Sequence, residues 1–227
     1  MDKKNQNFNW SGHIKDLNDF PDIGMLWEKH FVSSVLKIIP KNKKTQKVLE
    51  VGCSNGRWLR WFNREYNCEV FGVDNNPEGF KKNDIVNFKL GDCKKLPFSN
   101  ESFDLVFSLG LVEHFTKKEK VISLKEQCRV LNKGGFLICL VPLLSFSLSF
   151  LYVKLNYDFR KGFKHFRTTK KEIENYFKEM GIEIICSKTI GNIFESLIGI
   201  GKLNNLLKNK LLAKILATEI LVIGKKI

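Results

Sequence analysis

A chain of 227 residues with 43% hydrophobic content fits one domain with a sizeable core. No apolar stretch opens the chain, which argues against a secretory signal, and none of the six cysteines, at 53, 68, 93, 128, 139 and 186, stands in a Cys-x-x-Cys pair. The four histidines complete no zinc spacing either, so the cysteines read as reduced thiols of a cytoplasmic protein without a metal site, while a formal net charge of +14 admits an anionic partner.

In chain order, the first element is an amphipathic helix over Asp22 to Ile39. Ile23, Leu26, Trp27, His30, Phe31, Val35 and Ile38 share one stripe, and Asp22 is placed to cap it. Next comes Val48-Leu-Glu-Val-Gly-Cys-Ser-Asn-Gly56, a buried strand running into a glycine turn. Gly52 and Gly56 bracket the turn before a helix beginning near Arg57; glycine is needed where backbone takes positive φ or meets a ligand bare. The run Glu69 to Val73 ends in Asp74, about twenty residues past the turn, where a carboxylate can accept both hydroxyls of a ribose. A third run, Val86 to Leu90, leads into Gly91-Asp92-Cys93. Ser102 to Gly110 then precedes Glu113-His114, and Leu131 to Val141 supplies a glycine-paired turn and a fifth strand.

This ordered set resembles the class I S-adenosylmethionine-dependent methyltransferases, particularly the small Rossmann-like ones with a Leu-Pro-Phe segment, here Leu96-Pro97-Phe98, and a Glu-His pair. The resemblance covers Val48 to Val141 and implies an α/β, doubly wound, mostly parallel seven-stranded sheet, with an N-terminal helix and apolar and basic helical insertions. It divides a single 1–227 domain into a helical cap (1–46), a cofactor-binding half (47–141) and an acceptor-side half (142–227). S-adenosyl-L-methionine would be the methyl donor and S-adenosyl-L-homocysteine the product. Glu50 and the turn of Gly52, Cys53, Ser54 and Gly56 would lie beside the methionine portion. Asp74, with Asn75, would hold the ribose; Asp92 and the backbone at Cys93 would meet the adenine amino group; Ser108 and Leu109, continuing to Leu111, would line the floor near the sulfonium. Ser54 stands where the family usually has a third glycine, a departure that would shift the loop slightly.

Architecture alone offers a competing account, in which Glu50 and Asp74 cap helices and the glycines are plain turns. A nicotinamide fingerprint, Gly-x-Gly-x-x-Gly, is not met by the spacing of Gly52, Ser54 and Gly56.

Beyond the fifth strand, residues Gly134 to Val153 carry no charge, a length that could cross a bilayer, but Pro142 interrupts the run where the strand pattern ends. Leu143 to Tyr152 reads instead as a lid or the wall of an apolar pocket. His165 to Gly181 reads as a helix capped by Thr168 or Thr169, with Glu172 as the returning carboxylate and glycine at its end. Strands are expected over Ile182 to Ser187 and Glu219 to Gly224. Between them, Ile193 to Ala217 suggests a basic amphipathic helix that either packs on the domain or lies on an anionic membrane surface.

Basic clusters at Lys41 to Lys44, Lys117-Lys118 and Arg160 to Arg167 raise a nucleic-acid acceptor, yet no RNA-binding module is appended, and the Asn/Asp-Pro-Pro-aromatic tetrapeptide of resembling enzymes that act on nucleobase amines is missing. The reading that results is methyl transfer to a small-molecule acceptor, hydrophobic, lipid-linked or sugar-containing, by a cytoplasmic protein able to touch the inner face of the membrane. The alternatives are a nucleic-acid methyltransferase and a non-catalytic binder of the same cofactor. If the acceptor is an oxygen, His114 and His165 are the candidate general bases, since a neutral imidazole is available near neutral pH.

Overall fold

In the computed structural model the described residues are 26–41, 46–76, 87–143, 166–191 and 217–227. They comprise helix α1 (Leu26–Ile38), β1 (Lys47–Val51), α2 (Arg57–Tyr66), β2 (Glu69–Asp74), β3 (Asn87–Leu90), β4 (Phe103–Leu109), a 3-10 turn (Val112–His114), α3 (Lys117–Val130), β5 (Leu131–Pro142), α4 (Lys170–Glu179), β6 (Ile182–Ile190) and β7 (Glu219–Lys226).

The strands form one seven-stranded sheet in the order β3-β2-β1-β4-β5-β7-β6. The first five are parallel, and β7 inserts antiparallel between β5 and β6. This is the doubly wound class expected from the sequence, and the reversal of strand order between β1 and β4 opens a crevice at their carboxyl ends.

Alternation along the strands divides the core in two. Val48 joins one apolar cluster with Trp58, Leu59, Trp61, Phe62 and Phe107, whereas Leu49 and Val51 join another with Val106, Leu124, Ile173 and Phe177. On α2, buried Trp58, Trp61, Phe62 and Tyr66 recur at helical spacing, and Phe62 meets Phe107 of β4 with ring centroids 4.9 Å apart. α1 lies over this face: Phe31 and Trp58 stack edge to face at 4.9 Å, and Glu28 pairs with Arg57 at the first turn of α2. The helical stripe of Trp27, Phe31 and Val35 therefore packs against the domain, while Asp22 and Ile23 lie outside the described residues.

α3 begins with a capping box: Thr116 Oγ1 accepts from the amide of Glu119, whose carboxylate accepts in turn from the amide of Thr116. The cap of α4 is Thr169 rather than Thr168. Glu172 does not reach back to it, a correction to the expected box; its carboxylate instead accepts from the Tyr176 hydroxyl at 2.8 Å and lies 3.8 Å from Lys120 Nζ. Thr168 is occupied with Lys120, whose ammonium donates to its hydroxyl at 2.6 Å and to the Arg167 carbonyl at 3.1 Å. Gly181, at φ 72°, follows α4 as anticipated, and β6 and β7 run longer than the sequence pattern indicated.

The expected lid, Leu143 to Tyr152, lies outside the described residues apart from Leu143, and so do residues 193–216 of the basic segment. Among the described residues no helix is long and apolar enough to cross a membrane, and all six cysteines are free thiols.

Candidate active site

At the carboxyl ends of β1, β2 and β4 lies a cleft of about 270 Å³ bordered by Gly52, Ser54, Val73 to Asn76, Gly91, Cys93, Leu109 to Leu111, His114 and Phe115. Its first wall is the loop after β1. The amides of Gly52 and Cys53 both donate to the Val73 carbonyl, at 2.8 and 3.2 Å, which ties the loop to the end of β2. Gly52 has φ 77°, and a Cβ there would come within 2.9 Å of Leu111 Cδ1, so only glycine leaves this edge open. Ser54 also takes the left-handed conformation, at φ 47°, so the serine follows the turn that glycine would make. It is held there by its amide, which donates to Asp74 Oδ2 at 2.8 Å.

Asp74 is the polar centre of the cleft. Its second oxygen accepts the Asn76 amide at 2.9 Å, and with the Asn75 amide also on the carboxylate, lone-pair capacity remains for a further donor. Burial raises its pKa, and the Ser54 and Asn76 amides oppose that shift. A pair of vicinal hydroxyls is the natural partner for two such oxygens.

Of the remaining expected cofactor residues, Asn75, Cys93 and Leu109 border the cleft and five do not. Glu50 is buried; strand alternation turns it to the α2 face, where Oε2 has no hydrogen-bond partner. Burial, reinforced by Asp74, pushes its pKa well up, with Arg57 and Arg60 opposing. Glu50 thus sits behind the glycine loop rather than along the cleft. Cys53 is buried beneath Gly72, Gly56 serves as the left-handed N-cap of α2, and Ser108 is fully buried, paired with Cys139 in the β4–β5 register. Asp92 is exposed, and its Oδ1 accepts from the Lys94 amide at 2.8 Å, leaving Gly91 and Cys93 of that segment as the bordering residues. Burial pushes the Cys93 thiol up to about 12, which leaves it a neutral packing group.

His114 borders the cleft, with Nε2 3.9 Å from Glu113 Oε1; His165 lies outside the described residues. Asn76 and Phe115 complete the walls without having stood out in the sequence, because a lone asparagine or phenylalanine carries no spacing signal. The sequence names Glu113 as half of the Glu-His pair but does not show that its side chain is buried. Glu113 is 2% exposed and its Oε2 has no hydrogen-bond partner, although its main-chain carbonyl accepts from the Phe166 amide at 2.7 Å. Burial pushes its pKa up to about 8, with the Lys120 ammonium opposing.

That shift has a measurable consequence. Over the range from 4.5 to about 8 the folded protein keeps a proton on Glu113 that the unfolded chain has released, so this group's contribution to stability falls as pH rises. Glu113→Gln imitates the protonated acid. Its gain in Tm over the parent is expected to be near zero at pH 5 and to grow steadily to pH 8; a pH-independent difference would show that the site ionises normally.

The cleft suits a ligand with a hydroxylated, planar and partly apolar body: a carboxylate at one edge, bare backbone at Gly52 and Gly91, and Leu109, Leu111 and Phe115 as apolar wall. Comparison with known proteins agrees. The sequence pattern of a methyltransferase domain family matches residues 49–139. Ajmaline N-methyltransferase of Rauvolfia serpentina is 32% identical over 108 residues, 43% of this chain and 36% of that enzyme. Tocopherol O-methyltransferase of Arabidopsis thaliana is also 32% identical over 108 residues, 43% of this chain and 30% of that protein, so the matched stretch spans about a third of these relatives' length. The fold is shared with an S-adenosylmethionine-dependent methyltransferase from Archaeoglobus fulgidus, at a TM-score of 0.66 and 18% identity over 87% of this chain and 94% of that one. With the strand order, the glycine loop and Asp74 in the expected places, residues 49–139 carry the pattern of a methyltransferase domain and are similar to enzymes whose methyl donor is S-adenosylmethionine.

Proposed function

We propose that this protein transfers a methyl group from S-adenosylmethionine to a small, apolar acceptor, lipid-linked and sugar-containing compounds included. The observation that carries this reading is the cleft itself, in which the Asp74 carboxylate and the glycine loop face the apolar wall of Leu109, Leu111 and Phe115. Two relatives, named for ajmaline and for tocopherol, support a small-molecule acceptor.

When bound, S-adenosylmethionine supplies an electrophilic methyl group on a sulfonium. The chain's own work is to bind and align. Asp74 accepts the ribose hydroxyls, Asn75 and Asn76 flank it, and the main chain at Gly91 and Cys93 meets the adenine, with Asp92 ordering that turn through the Lys94 amide. Gly52 and Ser54 offer main chain to the methionine portion, and Glu50 is buried behind them. Leu109, Gly110 and Leu111 form the floor on which the acceptor must be held in line, the positioning that supplies much of the rate of a displacement. His114, at the rim, is the described imidazole available to take a proton from a hydroxyl acceptor.

Calorimetric titration with S-adenosylmethionine, S-adenosylhomocysteine and NADH tests the cofactor. Micromolar binding of the first two alone is expected; failure of both in folded protein would end the proposal. Incubation with labelled donor and a cell extract then tests the acceptor. Label in the organic-soluble fraction is expected, whereas label that nuclease releases would move the acceptor to nucleic acid.

A further inference from the structure

The turn that brings His114 to the cleft is held from behind by a buried lysine. Lys120, on α3, is 1% exposed, and its ammonium donates to the Thr168 hydroxyl at 2.6 Å, the Arg167 carbonyl at 3.1 Å and the Phe166 carbonyl at 3.4 Å. An ammonium has three donors and no acceptor, so these contacts use all of it. The Thr168 hydroxyl donates in turn to the Phe166 carbonyl at 3.1 Å, and Thr168 is itself 1% exposed. Residues 166–168, which lead into α4, are thereby tied to α3. The tie reaches the cleft through one further bond: the Phe166 amide donates to the Glu113 carbonyl at 2.7 Å, on the 3-10 turn Val112–His114. His114 and the next residue, Phe115, border the cleft.

Packing alone does not call for a charge at this position. Lys120 lies near the start of α3, where the helix dipole opposes a cation, and burial lowers its pKa, with Glu172 and Glu113 opposing. An apolar side chain of the same length would escape both costs. What the ammonium gains is three acceptors, all from one short segment of chain, and that segment bonds directly to the turn beside the cleft.

We propose that Lys120 is a positioning residue for methyl transfer: by clamping residues 166–168 onto the 3-10 turn, it fixes the His114 and Phe115 edge of the cleft against which the acceptor is held. This rests on the methyl-transfer reading above. The cofactor side does not depend on the clamp, because the Ser54 amide is bonded to Asp74 and the amides of Gly52 and Cys53 to the Val73 carbonyl. Loss of the clamp therefore acts on transfer and leaves cofactor affinity alone.

The charge gives the clamp a signature in pH. The titratable groups facing Lys120 are Glu172 of α4, whose carboxylate lies 3.8 Å away, Glu113 of the 3-10 turn and Cys139 of β5, which burial keeps neutral. As pH rises through the lowered pKa of Lys120, the ammonium becomes an amine. It then loses one donor and its attraction to Glu172, and one of its three contacts must go.

The test compares the parent chain with Lys120→Met, which keeps the length of the side chain and removes its donors. In calorimetry S-adenosylhomocysteine should bind both with Kd values within about threefold of each other. Hydrogen exchange at the Phe166 amide should quicken by roughly tenfold or more, as local opening becomes easier. Transfer of labelled methyl from saturating S-adenosylmethionine into a cell extract should slow by roughly tenfold or more, and the parent's transfer should decline at alkaline pH through a step that Lys120→Met lacks. Phe62→Leu, a destabilising change far from the clamp, controls for folding: below its unfolding transition it should keep the parental rate and pH profile. Unchanged exchange at Phe166 would show that Lys120 clamps nothing. Faster exchange with unchanged transfer, an alkaline decline that persists in Lys120→Met, or an equal loss of S-adenosylhomocysteine affinity would reduce Lys120 to a structural role. A parent that binds no S-adenosylhomocysteine, or labels nothing in the extract, fails at the methyl-transfer reading and takes the positioning role with it, whatever Phe166 exchange says of the clamp.

Discussion

Asp74→Ala is expected to weaken S-adenosylhomocysteine binding by roughly 10- to 150-fold, the equivalent of about 1.5–3 kcal/mol for hydrogen bonds to a charged group. The side chain has two tasks: its oxygens face the cleft, and they also accept the amides of Ser54 and Asn76, which fixes both flanks of the site. Asp74→Asn should fall in between, because it keeps an acceptor and loses the charge. Burial has raised the Asp74 pKa, so binding should also weaken as pH falls through that raised value, as the carboxylate that accepts hydroxyls becomes an acid. This acid-side weakening should be absent in Asp74→Asn. Calorimetry at two pH values reads both effects, with Tm as the control for folding. Unchanged affinity in Asp74→Ala would remove the residue from the site.

Phe62→Ala is expected to cost about 3–5 kcal/mol, a large part of the roughly 5–15 kcal/mol that holds an ordinary domain together. Phe62 is fully buried and touches Trp61 and Phe107 with centroid separations of 4.9 Å each, so its ring joins α2 to the centre of the sheet. Truncation leaves a cavity beneath the helix whose N-terminus closes the glycine loop. Urea unfolding monitored by tryptophan fluorescence measures the loss; a cost below about 1 kcal/mol would show that the aromatic cluster collapses around the gap. Cofactor affinity should suffer far less than stability, because the residues that border the cleft hang from β1, β2 and β4. The two substitutions therefore separate binding from folding.

The sequence determined the elements and their acids, because those signals are local. Alternating apolar residues, the Gly52–Gly56 turn and the strand-end position of Asp74 depend only on near neighbours, and all were legible. Ser54 was legible too, as a position needing left-handed backbone, although not that serine would comply at φ 47°. What only the tertiary structure decided was which side chains reach the cleft. Glu50 and Ser108 read as site residues by their place in the motif, yet strand geometry buries both away from the opening. The polar stripe of α3, with Lys120, Ser123 and Gln127 buried among apolar neighbours, breaks the rule that polar faces meet water. It could be understood only once Thr168 and the chain leading into α4 were found packed against it.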